Sequence, residues 1–219
     1  MGRISRKKIN QDFFKIWSPQ MSYILGYIAA DGCIYKRKNR KNSYTLNITS
    51  KDKDNLLKMG KNLSPDCSIS IKYNSQRLPY SQIQISNREI CGDLISLGIL
   101  PRKTYNLNFI KVPEEYFSDF VRGFFDGDGT VYIYKVNGTP QIKGGFVSPS
   151  LFFITEFNKQ LCKAIDIQCK AVHKFHSKNK REIPFELRVR KEQKEFVEVV
   201  VIPKKDIFWR CEENYTLDK

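Results

Sequence analysis

Ile24-Leu25-Gly26-Tyr27-Ile28-Ala29-Ala30-Asp31-Gly32 is echoed farther along the chain by Val121-Arg122-Gly123-Phe124-Phe125-Asp126-Gly127-Asp128-Gly129. Each stretch is mostly apolar, has glycine at its third place, and closes on a small residue followed by Asp-Gly. Read physically, each is a helix with an acid in its last turn. Ser18-Pro19 supplies an N-cap and a first-turn proline to the first copy. Pro113-Glu114-Glu115 supplies a proline and first-turn acids to the second. Gly32 and Gly129 are expected to stop the helices in the manner of C-cap glycines. Small residues let two helix backbones approach closely, so the helices are predicted to cross with Gly26, Ala30, Gly123 and Gly127 at their interface. A carboxylate at a helix C-terminus opposes the macrodipole, so Asp31 and Asp128 sit against local preference. Two carboxylates brought together suggest a divalent cation. One copy alone would read as a core helix with a solvent-facing Asp-Gly turn; two copies a domain length apart favour a shared site.

The 219 residues fit one large or two small domains. A net charge of +15, spread along the whole chain, favours a folded protein with a basic surface and a polyanionic partner. Charge does not separate DNA from RNA. Six cysteines without a CxxC pair read as reduced thiols of an intracellular protein. Cys169, His173 and His176 match no zinc spacing. No apolar run is long enough to span a membrane, and the basic N-terminus lacks a secretory apolar core.

Taken in order, a basic lead-in precedes the first motif helix. Strands are expected over Cys33–Arg37 and Tyr44–Ser50, then a helix over Lys51–Leu63. Strands over Cys67–Tyr73, with Ile69 and Ile71 inward, and Tyr80–Ser86 follow. A helix over Asn87–Leu97, capped by Asn87 and stopped by Gly98, ends the half. The second half repeats this order: a helix over 114–127, strands over 130–136 and 140–148, a helix over 149–165, strands over 169–176 and 183–190, and a helix over 191–201. Ile99-Leu100-Pro101-Arg102-Lys103 matches Val201-Ile202-Pro203-Lys204-Lys205. The expected fold is α+β, two pseudo-symmetric αββαββα halves with antiparallel sheets. The division is 1–98 for the N-terminal half, 99–113 for a linker, and 114–219 for the C-terminal half.

In each half the strands leave a polar face rich in Lys, Arg, Asn, Gln, Ser, Thr and Tyr, a composition that can read base edges in a major groove. Alternation counted from Asp31 gives a groove-facing set of Tyr35, Arg37, Thr45, Asn47, Ser70, Lys72, Gln82 and Gln84 in the first half. In the second half it gives Tyr132, Tyr134, Gln141, Lys143, Lys170, Glu186, Arg188 and Arg190. The basic tips Lys36–Lys41 and Lys178–Arg181 suit phosphate contacts.

The two motifs, with their matching flanks, resemble the LAGLIDADG homing endonucleases in the form that carries both motifs on one chain. Ala29 stands where the family pattern has its first acid, and Tyr27 and Phe124 are bulkier than its usual leucine. The resemblance implies a DNA-binding saddle built from both sheets, with the motif helices packed between the halves. It also implies site-specific double-strand cleavage of a long pseudo-palindromic DNA target by Mg²⁺-dependent phosphodiester hydrolysis, in the service of intron homing. Mn²⁺ would be another divalent cation for the site and Ca²⁺ a non-catalytic substitute. Catalysis falls by resemblance to Asp31 and Asp128, which would also hold the metal, and to Lys103 and Lys205, each placed after the third helix of its half. Ser50 and Ser148 stand where the family often holds a polar, water-positioning residue. The implied protein is a monomer bound to double-stranded DNA, with no membrane partner, in a bacterial or phage cytoplasm or an organelle carrying the host intron. Two rivals share the fold: an RNA maturase that binds intron RNA and aids group I splicing, and a DNA-binding regulator without catalysis.

Overall fold

A computed structural model describes residues 8–36, 44–101, 103, 107–166, 168–169, 171–174 and 185–190; for 132–134, 136, 139–143, 173–174 and 185–190 it describes the backbone alone. The first half runs α1 (Pro19–Asp31), β1 (Gly32–Lys36), β2 (Tyr44–Ser50), α2 (Lys53–Leu63), β3 (Ser70–Tyr73), β4 (Pro79–Ile85) and α3 (Arg88–Ser96). The second runs α4 (Glu114–Asp128), β5 (Gly129–Val136), β6 (Thr139–Ser148), α5 (Leu151–Ala164), β7 (His173–Lys174) and β8 (Phe185–Arg190). The expected closing helix over 191–201 lies outside the described residues, as do Arg37, Lys170 and Lys205 and the tip at 178–181. The expected tip at 36–41 is described only at Lys36.

Both sheets are antiparallel and share one topology, β1-β2-β4-β3 and β5-β6-β8-β7. The fold is thus the expected α+β arrangement. The caps explain the helix starts. Ser18 Oγ accepts from Met21 N, Asp52 from Asn55 N, Asn87 from Ile90 N and Ser150 from Phe153 N. Asp52 and Ser150 therefore begin their helices later than the apolar periodicity predicts.

The helix ends differ from expectation in one respect. Gly32 and Gly129 are extended, with φ of −81° and −78°, not left-handed. What they supply is space. A Cβ on Gly32 would lie 2.7 Å from the Ile28 carbonyl oxygen, and one on Gly129 would lie 2.4 Å from that of Phe125. Each helix can then pass into its strand without a loop.

The core lies between the helices and one face of each sheet. Ile34, Leu46, Ile48, Ile83 and Ile85 line that face in the first half, against Leu56, Met59, Ile90 and Leu94 of α2 and α3. In the second half the core is a run of aromatic rings: Phe117, Phe120, Phe124, Phe146, Phe153 and Phe157, with centroids 4.9–6.5 Å apart. Phe124 is bulky because it fills the middle of this cluster. Ile71 corrects an expectation. Its register opposite Ser81 puts it on the helix side of the sheet, but β3 is an edge strand exposed at every residue, and Ile71 stays 49% exposed.

Candidate active site

The two motif helices cross at their glycines. A Cβ on Gly26 would sit 2.2 Å from the Phe120 carbonyl oxygen, and one on Gly123 would sit 1.9 Å from that of Tyr23. Near the C-terminal ends, a Cβ on Gly127 would lie 2.3 Å from Ala30 Cβ. Backbone therefore meets backbone along the crossing, and the four small residues of the interface are the ones that permit it. Hydrogen bonds fasten the pair, from Ser22 Oγ to the Tyr116 carbonyl (2.8 Å) and from Tyr23 Oη to Asp126 Oδ2 (2.6 Å).

This crossing delivers Asp31 and Asp128, the last residues of α1 and α4, to one end of the helix pair. Burial pushes the Asp31 carboxyl up to about 6, Asp128's negative charge adds to the rise, and Lys103 opposes it. Burial raises Asp128 too, again against Lys103. Asp31 nevertheless keeps an open side toward solvent. Lys103, which is buried, donates from Nζ to the carbonyls of Ala29 (2.6 Å) and Ala30 (2.7 Å). It is thus a cationic cap on the end of α1, in the field of both acids. Desolvation lowers its pKa, and Asp128 and Asp31 resist the change.

The two serines bond the chain that follows their strands, and Ser50 also bonds a tyrosine of α1. Ser50 Oγ accepts from Tyr27 Oη (2.9 Å) and from Asp52 N (3.0 Å). Ser148 Oγ accepts from Ser150 N (3.2 Å) and is buried. Each hydroxyl bonds the backbone that leads from its strand toward the next helix.

From this site each sheet extends with one polar face. The register aligns Tyr35 with Thr45, Asn47 with Gln84 and Ser70 with Gln82, so these positions share a face, and Lys72 joins them opposite Tyr80. Ser70, Lys72 and Gln84 are exposed there, and Gln84 Nε2 donates to Tyr35 Oη (3.1 Å). Thr45 departs from the expected set. It lies on this face but is fully buried, its hydroxyl 2.9 Å from Ser86 Oγ. Gln82 is also nearly covered, at 9% exposed. Asn47 Oδ1 is buried and has no hydrogen-bond partner among the described residues. In the second sheet the register pairs Tyr132 with Lys143, Tyr134 with Gln141 and Lys143 with Arg190. Glu186 and Arg188 fall on the same face, opposite Val147 and Gly145.

Sequence reading did not single out Asp126, a third acid of the helix pair. It bonds Tyr23 Oη, which also accepts from Asn55 Nδ2 (3.0 Å), and burial raises its pKa. The signal was present: Asp126 stands where the first motif has Ala29, so the repeat is asymmetric at that place.

Residues 18–89 match the family described as LAGLIDADG-like domain. An uncharacterized protein of Methanocaldococcus jannaschii is 31% identical over 158 residues, covering 68% of this chain and 50% of that protein. The chain thus spans about half the length of that curated relative. Among solved structures, the homing endonuclease I-WcaI bound to its DNA recognition sequence is similar over 91% of this chain and 90% of that one, with 16% identity and a TM-score of 0.52. The N-terminal LAGLIDADG domain of DUF199/WhiA is similar over 94% and 96%, with 17% identity and a TM-score of 0.50. I-DmoI in complex with its target DNA in the presence of Mn is similar over 83% and 93%, with 14% identity and a TM-score of 0.52. At these identities the likeness is one of fold.

Proposed function

We propose that the protein is a site-specific DNA endonuclease with two LAGLIDADG motifs on one chain, cutting both strands of a long pseudo-palindromic duplex. The observation that carries this reading is the convergence of Asp31 and Asp128 at one end of the crossed helices, each at the head of a polar-faced sheet. The halves 1–98 and 114–219, joined by 99–113, would each bring one acid to one strand, so a monomer suffices. The basic charge suits a phosphate backbone.

The donor set fits a hard divalent cation. Mg²⁺ takes one or two carboxylates and keeps waters or phosphate oxygens in its remaining places. Among the described residues no group of three or more His, Cys, Asp or Glu forms a closed ligand cage. Asp31 and Asp128 would hold the ion, and a bound divalent ion supplies Lewis-acid polarisation of the phosphate and of the attacking water. The chain's own part is positional. The glycine crossing fixes the acids, Lys103 anchors the end of α1, and the sheet faces hold the duplex.

A second reading, a duplex-binding protein of this fold that does not cut, is favoured by Lys103, whose ammonium lies in the field of both acids and bonds the end of α1. One experiment separates the readings. Purified protein is incubated with a randomised duplex library and Mg²⁺, and both bound and cleaved molecules are sequenced. Defined double-strand ends that vanish in Asp31→Asn and Asp128→Asn, with binding retained, support the endonuclease. Selective binding without ends supports the second reading.

A further inference from the structure

A buried ammonium needs compensation, because desolvation of a charge is costly unless it is paired and hydrogen-bonded. Lys103 obtains it from two kinds of group at once. Its Nζ donates to the last carbonyls of α1, at 2.6 and 2.7 Å, where the helix dipole is negative. It also lies in the field of Asp31 and Asp128. These groups make one end of the helix pair electronegative: the Ala29 and Ala30 carbonyls bond the ammonium directly, and the two carboxylates act on it through their charge. Without that cation, two acids would face each other at helix ends that already disfavour negative charge.

We propose that Lys103 is a built-in counter-cation that holds the acid pair together in the metal-free protein and competes with the divalent ion for the same negative field. This rests on the reading that Asp31 and Asp128 bind a divalent cation. Lys103 is a positioning residue in this account: it acts on the carboxylates and the end of α1. Two consequences follow. The metal-free chain keeps its site assembled, and divalent affinity is set below what the two acids alone would give. Lysine suits the task because its charge is compact and its stem flexible, so the ammonium can draw back as the ion enters.

The test is calorimetric binding of Ca²⁺ and Mg²⁺, without DNA, to wild type, Lys103→Gln, Lys103→Arg and Asp31→Asn. It is run at about pH 8, where the carboxylates are ionised despite their raised pKa values. Removing one positive charge from this field should tighten divalent binding in Lys103→Gln by roughly tenfold. Melting of that variant should fall without metal and recover with it, by a larger increment than wild type shows. Lys103→Arg, which keeps the charge, should bind metal within about twofold of wild type. If Lys103→Gln does not fold without metal, folding on addition of millimolar Ca²⁺ is the expected result, and failure to fold there overturns the proposal. Equal metal affinity in wild type and Lys103→Gln, with loss in Asp31→Asn, overturns the role of Lys103 while leaving the metal site intact. Absence of binding in every protein, or binding unchanged in Asp31→Asn, overturns both.

Discussion

Gly123 lies against Tyr23 so closely that a Cβ built on it would stand 1.9 Å from the Tyr23 carbonyl oxygen. The obstacle is backbone, which cannot step aside as a side chain can. Gly123→Val and Gly26→Val must therefore spread the two helices. Overpacking of this kind typically costs about 1–3 kcal/mol, and it moves Asp31 and Asp128 together with the helix ends. Both variants should lose stability in urea denaturation and, under the proposed reading, lose cleavage in parallel. Gly92 in α3 is the control, since a Cβ there meets nothing within 4 Å. Gly92→Ala should gain about 0.5–1 kcal/mol from helix propensity. Unchanged denaturation midpoints in both valine variants would mean that the helices do not meet at these glycines.

The parts of the fold legible in the sequence are those written in local chemistry. Asn87 and Ser18 announce their helices as side-chain caps. Strand alternation places Ile48 and Ile83 on one face of their strands, and both are buried. The glycines marked the crossing because glycine inside a helix is costly unless something needs the space. Other features depend on what packs from elsewhere. Thr45 obeys the alternation of a groove-facing residue, but it is buried and its hydroxyl partner, Ser86, is 41 positions away. Ile71 obeys the alternation of a core residue, but it lies on an edge strand that is exposed at every residue. Asp126 is not singled out by the sequence because its partner Tyr23 stands 103 positions away.

Acidification should strengthen the metal-free fold while weakening the proposed cleavage. The folded-state pKa of Asp31 is about 6 against an ordinary value of 3.8, so folding favours its protonated form. The stability this contributes is fully present below about pH 4 and is lost as pH rises through about 6. Asp128 and Asp126 shift in the same direction. At neutral pH, Asp31→Asn should therefore melt above wild type, and the gap should close as pH falls from 7 to 4. Cleavage, which under the proposed reading uses the carboxylates, should fall over the same range. Melting curves of the two proteins at matched pH check this, and a gap that widens on acidification would refute the sign.

Tyr23 and Asp126 should respond in opposite ways to removal of their shared bond. Tyr23→Phe deprives a desolvated carboxylate of its 2.6 Å donor and strips Asn55 Nδ2 of its acceptor. Leaving buried polar groups unsatisfied costs about 1–3 kcal/mol. Asp126→Asn removes the charge that burial disfavours, and its amide oxygen can still accept from Tyr23 Oη. That variant should be near neutral or stabilising. Urea denaturation of both decides the matter, and an Asp126→Asn loss as large as that of Tyr23→Phe would show that the carboxylate charge itself stabilises the pair.

The last prediction separates Thr45 from Gln84, which sequence alternation places in one groove-facing set. Thr45 is fully buried beside Ser86, whereas Gln84 is exposed and donates to Tyr35 Oη at 3.1 Å. If the sheet lies in a major groove, Gln84 is free to meet a base edge, and a glutamine amide can pair in bidentate fashion with adenine. Tyr35 would orient that amide from the neighbouring strand. Gln84→Ala should therefore relax preference at one base pair, by about 1–3 kcal/mol, with stability unchanged. Thr45→Ala should do the reverse, costing about 1 kcal/mol of stability through its lost hydrogen bond while leaving the cleavage profile intact. Library cleavage and urea denaturation of both variants give the two readouts. A Gln84→Ala profile identical to wild type would remove this residue from base reading, and an altered profile for Thr45→Ala would mean that the buried hydroxyl helps shape the groove-facing surface.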